Sequence, residues 1–222
     1  MMAAKMDSEI LLLSLAYQDF LEEIYAPLLD KLTASVTLKR AKTVNEARRY
    51  LEGSSPRAII VTDEGLADRR NRNVLQKVVS YAHNGGLVII GLHFPTFIEG
   101  DRFDNLFNTA FGLPWKRGSY HRTVFKYNPS SVLPPGTVSS SLPEPCSMKA
   151  VHVKHTRPHE RIFLPISNAT TQSFVFDPEP VDGTEPAVAG ASVGDGYLVY
   201  CGDVNGEEGS NKIILSLCGI AS

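Results

Sequence analysis

Apolar positions in the first 90 residues of this chain alternate between unbroken short runs and helical stripes. Ile10 to Leu15 is apolar except for Ser14, the pattern of a strand covered on both faces. Phe20, Leu21, Ile24, Tyr25, Leu28, Leu29 and Leu32 then follow at helical spacing with Glu22 and Glu23 opposite, and Pro27 either kinks this helix or starts a second one. Val36 to Leu38 is a second strand, and Val44, Ala47 and Leu51 mark a short helix stopped by Gly53 and Pro56. Ala58 to Val61 is a third, wholly apolar strand. Val74, Leu75, Val78, Val79 and Ala82 stripe a further helix that ends at Asn84-Gly85, and Leu87 to Ile90 is the fourth strand. Strand and helix alternating in this way predict a parallel sheet with right-handed crossovers.

Beyond residue 93 the rhythm loosens. Phe103, Leu106, Phe107 and Ala110 suit a short helix that ends before Trp115, and Arg122 to Tyr127 alternates like a strand. Asn128 to Pro145 carries five prolines and opens an irregular, loop-rich insertion over residues 128–186. Within it, Ala150 to Val153, Ile162 to Ile166 and Ser173 to Phe176 are strand candidates. Two apolar runs, Ala187 to Val193 and Gly196 to Cys201, are joined at Gly194-Asp195 as a hairpin. Ser210 is placed to cap a closing helix whose inner face is Ile213, Ile214 and Leu217. The expected fold is one α/β domain over residues 1–222: a flavodoxin-like three-layer sandwich with a mostly parallel central sheet and an added C-terminal β-hairpin region.

Composition narrows the function classes. With 22 basic and 24 acidic side chains and a formal charge of −2, no basic face announces itself, so nucleic acid is not an expected partner. No apolar run approaches the roughly 20 residues of a membrane span. The three cysteines lack paired spacing, so neither a disulfide framework nor a zinc site is expected, and the cytoplasm is the expected compartment.

Candidate chemistry gathers at the carboxyl ends of the predicted strands, where open α/β sheets bind ligands. Gly91-Leu92-His93 follows the fourth strand, with His93 where a nucleophile elbow would carry serine or cysteine. His93 is expected to be half-exposed and to line a pocket, acting as a general base, metal ligand or hydrogen-bond donor. Alternatively it is a histidine satisfied at a tight turn. Asp63 and Glu64 follow the third strand, His121 lies beyond Trp115 and Asp203 follows the last strand; all four are expected to share this cleft. The tract His152, His155 and His159 has spacing and basic neighbours that argue against a metal, and no cofactor is implied.

The segments Tyr81 to Gly91, Phe111-Gly112-Leu113-Pro114-Trp115 and Gly194 to Asp203 resemble the class I glutamine-amidotransferase-like superfamily, and within it the trehalose-utilisation (ThuA-like) proteins. Amidotransferases of that superfamily use a cysteine at the elbow and a His-x-Glu pair after the last strand. Here His93 stands at the first position, and Gly202-Asp203-Val204-Asn205-Gly206-Glu207 occupies the second. The resemblance therefore implies a protein without glutaminase activity, either unassigned in its chemistry or non-catalytic, that binds a small polar metabolite or a protein partner. Its alternatives are a ThuA-like enzyme acting on a carbohydrate derivative through a histidine–carboxylate pair, and a structural homo-oligomer whose cleft is vestigial.

Overall fold

The computed structural model describes residues 9–173 and 175–221. The first half alternates as the pattern predicts: β1 (Glu9–Leu13), α1 (Leu21–Ile24), α2 (Ala26–Ser35), β2 (Thr37–Ala41), α3 (Val44–Gly53), β3 (Ala58–Val61), α4 (Arg72–His83) and β4 (Leu87–Ile90). Pro27 starts a second helix: it is the second residue of α2, where its missing N–H has no partner to lose. Thr43 and Glu46 form a reciprocal capping box that sets the start of α3. After β4 come α5 (Phe94–Phe97), α6 (Gly100–Asn105), a π turn at Leu106–Ala110, β5 (Lys116–Tyr127), β6 (Cys146–Lys154), β7 (Arg161–Pro165), β8 (Val188–Val193), β9 (Gly196–Cys201) and α7 (Glu208–Leu217).

Among the described residues nine strands form one sheet in the order β2-β1-β3-β4-β9-β8-β7-β5-β6. From β2 to β9 every pairing is parallel, and from β9 to β6 every pairing is antiparallel. Strand alternation divides the interior into two apolar clusters. Ile10, Leu12, Ile60, Ile89 and Val199 face one side with residues of α2 and α7, whereas Leu11, Leu13, Ile59, Ile90 and Leu198 face the other with residues of α3, α4 and α6. β6 also turns back on the segment after β9: Val151 N–H donates to the Gly202 carbonyl at 2.9 Å, and Ala150 bridges Asp203.

Four expectations change. The sheet is only partly parallel, because β5 and β6 extend well beyond their predicted cores and add a long antiparallel arm. The β8–β9 hairpin is no appendage, since β9 pairs with β4 at the middle of the sheet. Residues 173, 175 and 176 form no strand, and Val175 and Phe176 are solvent-exposed, while residue 174 lies outside the described residues. Ser210 is not the cap of α7. That position is Glu207, and Ser210 sits one turn in, with its hydroxyl donated to the Glu207 carbonyl and to Asp203.

Candidate functional site at the carboxyl edge of the parallel strands

β4 is a central strand, flanked by β3 and β9 in parallel, and His93 follows its carboxyl end. The backbone reverses at Leu92, whose φ of 57° is in the left-handed region. His93 itself is helical, with φ −75° and ψ −18°. The residue held in the strained elbow conformation is thus Leu92, whose side chain packs into the core, and not His93. The His93 amide donates to the Thr62 carbonyl at 2.9 Å, and its carbonyl accepts from Thr96 and Phe97, which anchors the turn to the end of β3.

The His93 side chain is 3% exposed instead of half-exposed. Phe20, Tyr25 and Phe97 surround it with ring centroids at 4.7, 5.3 and 5.7 Å. Its Nε2 is buried without a hydrogen-bond partner, and so is the hydroxyl of the adjoining Tyr25. Burial holds the imidazole pKa below its ordinary value. Burial, reinforced by the charges of Asp203 and Glu207, pushes the Tyr25 phenol up. Both groups are therefore neutral near pH 7. Phe20, Ile24 and Phe97 are 40–43% exposed and form an apolar rim at this edge.

The carboxylates of Asp63 and Asp203 are committed chiefly to backbone amides. Asp63 Oδ1 accepts from Ala16 N and Gly65 N, each at 3.0 Å, tying the loops after β1 and β3 together. Burial outweighs these bonds and raises its pKa to about 6. Glu64 occupies the first turn of a 3₁₀ helix that Asp63 caps, and its carbonyl accepts from Arg102. Asp203 accepts from Asn205 N at 3.0 Å, Glu207 N at 2.8 Å and the Ser210 hydroxyl, so it caps the entry to α7. Glu207 is paired with Arg122 and accepts from Lys149 N at 3.1 Å; burial and then Asp203 raise its pKa, against the pull of Arg122.

His121 does not join this group. It lies on β5 with its ring centroid 4.2 Å from that of His152, inside the antiparallel arm. His152 is fully buried, against Phe125 at 5.1 Å, and neither of its nitrogens makes a well-formed hydrogen bond. Burial drives the His152 pKa down to about 3. Among the described residues no cluster of three or more His, Cys, Asp or Glu could hold a metal ion. Cys146, Cys201 and Cys218 are unpaired; burial raises all three thiols, the causes being largest in the two fully buried ones.

The structure thus splits the five predicted residues. His93, Asp63, Glu64 and Asp203 come to one edge of the sheet, on three loops, and His121 goes to another region. Phe20 and Tyr25, which the pattern marks only as part of a helix stripe, and Phe97 form the immediate surroundings of His93. The break in the stripe at Pro27 is the one sequence signal that singles out Tyr25, because the helix boundary falls on it.

No family profile and no curated protein sequence matches this chain. Similarity appears at the level of structure. A ThuA-like protein from Bacteroides uniformis superposes with a TM-score of 0.57 at 11% identity, covering 95% of this chain and 89% of its own. A ThuA-like protein from Parabacteroides merdae gives 0.56 at 12% identity, covering 97% and 89%. A cytoplasmic protein from Salmonella typhimurium gives 0.53 at 12% identity, covering 95% and 96%. At these identities the likeness concerns architecture, and the architecture of this chain is the ThuA-like α/β fold.

Proposed function

We propose that this chain is a non-catalytic, single-domain ThuA-like protein with a flavodoxin-like parallel core, and that it binds a small polar metabolite at Tyr25 and His93. The observation that carries the proposal is the pair of buried, unpartnered polar atoms on adjoining rings, Tyr25 Oη and His93 Nε2. Each such atom costs about 1–3 kcal/mol when left unpaired, and native proteins leave few of them. A ligand bearing hydroxyl groups satisfies both, with the phenol and imidazole serving as donor and acceptor. Phe20 and Phe97 are the partly exposed rings that border this position.

Catalysis is disfavoured by the same geometry. A histidine acting as general base is usually oriented and made more basic by a carboxylate. Here Asp63 and Asp203 are engaged with backbone amides and His93 is depressed by apolar burial. Glutamine hydrolysis by the superfamily's mechanism has no thiolate at Leu92 or His93. The three unpaired cysteines and the cytoplasmic protein of similar fold support a cytoplasmic setting. Should the metabolite site prove dry, the exposed Phe20, Ile24 and Phe97 rim is the surface that a protein partner, including a second copy, would use.

A thermal-shift screen of monosaccharides, sugar acids and polyols on wild type and Tyr25→Phe tests the reading. The expected result is a saturable upward shift for at least one compound in wild type and none in Tyr25→Phe, which keeps the ring and deletes only the hydroxyl. Equal shifts in both proteins, or none in wild type, would overturn it.

A further inference from the structure

We infer that a second site, independent of the His93 edge, binds a small organic anion with an apolar body in the cleft between α4 and the α6–π segment. The cleft has a volume of about 890 Å³, within the range of small-molecule sites. Its floor is apolar, supplied by Leu75 of α4 and by Leu106 and Ala110 of the π turn. Its rim carries three guanidinium groups, Arg69, Arg72 and Arg102.

Charge balance makes this arrangement informative. The chain as a whole is slightly acidic, with a net charge of −2. Yet among the described residues none of these three arginines forms a salt bridge. The single acid on the rim, Asp68, is already engaged. Its carboxylate accepts from Arg70 Nε and Nη2, at 3.1 and 2.7 Å, and from the Arg70 amide. That pairing, through Arg70 bonds first, holds its pKa down to about 2, so it stays ionised and bound to Arg70. Three guanidiniums without a carboxylate salt bridge among the described residues, of which Arg102 donates to the Glu64 carbonyl at 3.4 Å, stand above an apolar floor and select for a negative head and an apolar tail. A carboxylate and a phosphate monoester both match the fork of a guanidinium. A sugar without charge offers the arginines no counter-charge, and inorganic phosphate does not use the floor.

The floor also has an unusual backbone. Leu106–Ala110 is a π turn, a rare element enriched at functional sites, and it presents Leu106 and Ala110 to the cleft. Cleft and His93 lie on opposite faces of the sheet: Leu75 and Leu106 belong with the α3–α4 cluster, and Tyr25 belongs with the α2–α7 cluster. Occupancy of one site is therefore separable from occupancy of the other.

The test is ligand-observed NMR with four probes on the full chain: benzoate, phenyl phosphate, benzyl alcohol and inorganic phosphate. Saturable binding of benzoate or phenyl phosphate is expected, with benzyl alcohol and inorganic phosphate at least about tenfold weaker. Which of the two aromatic anions binds more tightly distinguishes a carboxylate from a phosphate ligand. Arg72→Gln combined with Arg102→Gln should weaken the favoured probe about tenfold or more, and added salt should weaken it in wild type. Tyr25→Phe should leave this binding unchanged, which separates it from the His93 reading. If the double variant fails to fold, the exposed Arg72→Gln alone and the salt titration carry the test. Absence of saturable anion binding, equal binding of benzyl alcohol, or unchanged affinity in the arginine variants would overturn the inference.

Discussion

Acid sensitivity of the antiparallel arm follows from His152. Its ring is fully buried between β5 and β6, with His121 and Phe125 against it, and its pKa falls from 6.5 to about 3 through burial first and His121 second. The Glu185 carbonyl and Asp182 oppose that fall without reversing it. A folded pKa below the unfolded one means that the unfolded chain takes up the proton first. Stability is therefore complete above about pH 6.5 and is lost as pH falls toward 3. Between pH 8 and pH 5 the loss from this one group is about 2 kcal/mol, from roughly 1.5 pH units at 1.36 kcal/mol each. Asp63 works the other way: its folded pKa is raised to about 6, so acidification over the same window returns about 1.4 kcal/mol. His93, His121 and Glu207 also have shifted pKa values, so a difference measurement is needed to isolate His152. In His152→Phe an aromatic ring is kept and the titrating group is gone, and the overpacking by the larger ring is independent of pH and cancels in the comparison. Urea unfolding of both proteins at pH 8 and pH 5 should show the variant gaining about 2 kcal/mol on wild type as the pH drops. A stability difference that stays constant within about 0.5 kcal/mol across that window would refute the reasoning.

Other expectations test the structural roles of the site residues. Asp203→Ala removes the acceptor of three hydrogen bonds at the start of α7 and should cost about 1–3 kcal/mol, read as a lowered melting temperature; no change would mean that Asp203 is free for chemistry. Gly65→Ala places a Cβ 2.6 Å from the Ala16 nitrogen, so the loops that Asp63 joins must part, at a cost of about 1–3 kcal/mol in chemical denaturation. His93→Ala empties a buried ring position and should destabilise by about 2–4 kcal/mol, in contrast to the small effect expected of a half-exposed residue. Purified protein should release no ammonia from glutamine, and release that disappears in His93→Ala would contradict the non-catalytic reading.

The parallel half was legible because β1, β3, β4 and β9 are runs of mostly buried apolar residues and each long helix carries a stripe; β2 is the exception, an edge strand with Lys39 and Arg40 exposed, and the expected Val36 to Leu38 gives way to Thr37–Ala41. Ala58–Val61 and Leu87–Ile90 fall where the apolar runs do. The antiparallel arm was harder. In β5, Lys116 to His121 is a string of polar and small residues held by pairing with β6, and no local pattern marks it as strand. Val175 and Phe176 fail in the opposite sense: they read as strand by residue type, yet no strand among the described residues pairs with them. At the site, chain order brought His93, Asp63 and Asp203 to the right edge of the sheet, since the carboxyl ends of parallel strands must converge. It could not show that both aspartates are consumed by neighbouring amides. Those bonds depend on loop geometry, in which Gly65 leaves room for the Leu15–Ala16 backbone. Nor could it show the burial of His93, which depends on Phe20 and Tyr25 arriving from the two ends of α1, some 70 residues earlier.

Whether His93 is a neutral, ligand-facing imidazole without a carboxylate partner is read from its own titration. In a protein carrying ¹⁵N-labelled histidine, with the His93 signals assigned by His93→Gln, the imidazole nitrogens should titrate below the ordinary histidine value of 6.5. They should also shift on addition of the polar compound that stabilises the protein. A His93 that titrates at or above 6.5, and is indifferent to every such compound, would instead be a histidine paired with an acid, and the non-catalytic binding account would fall.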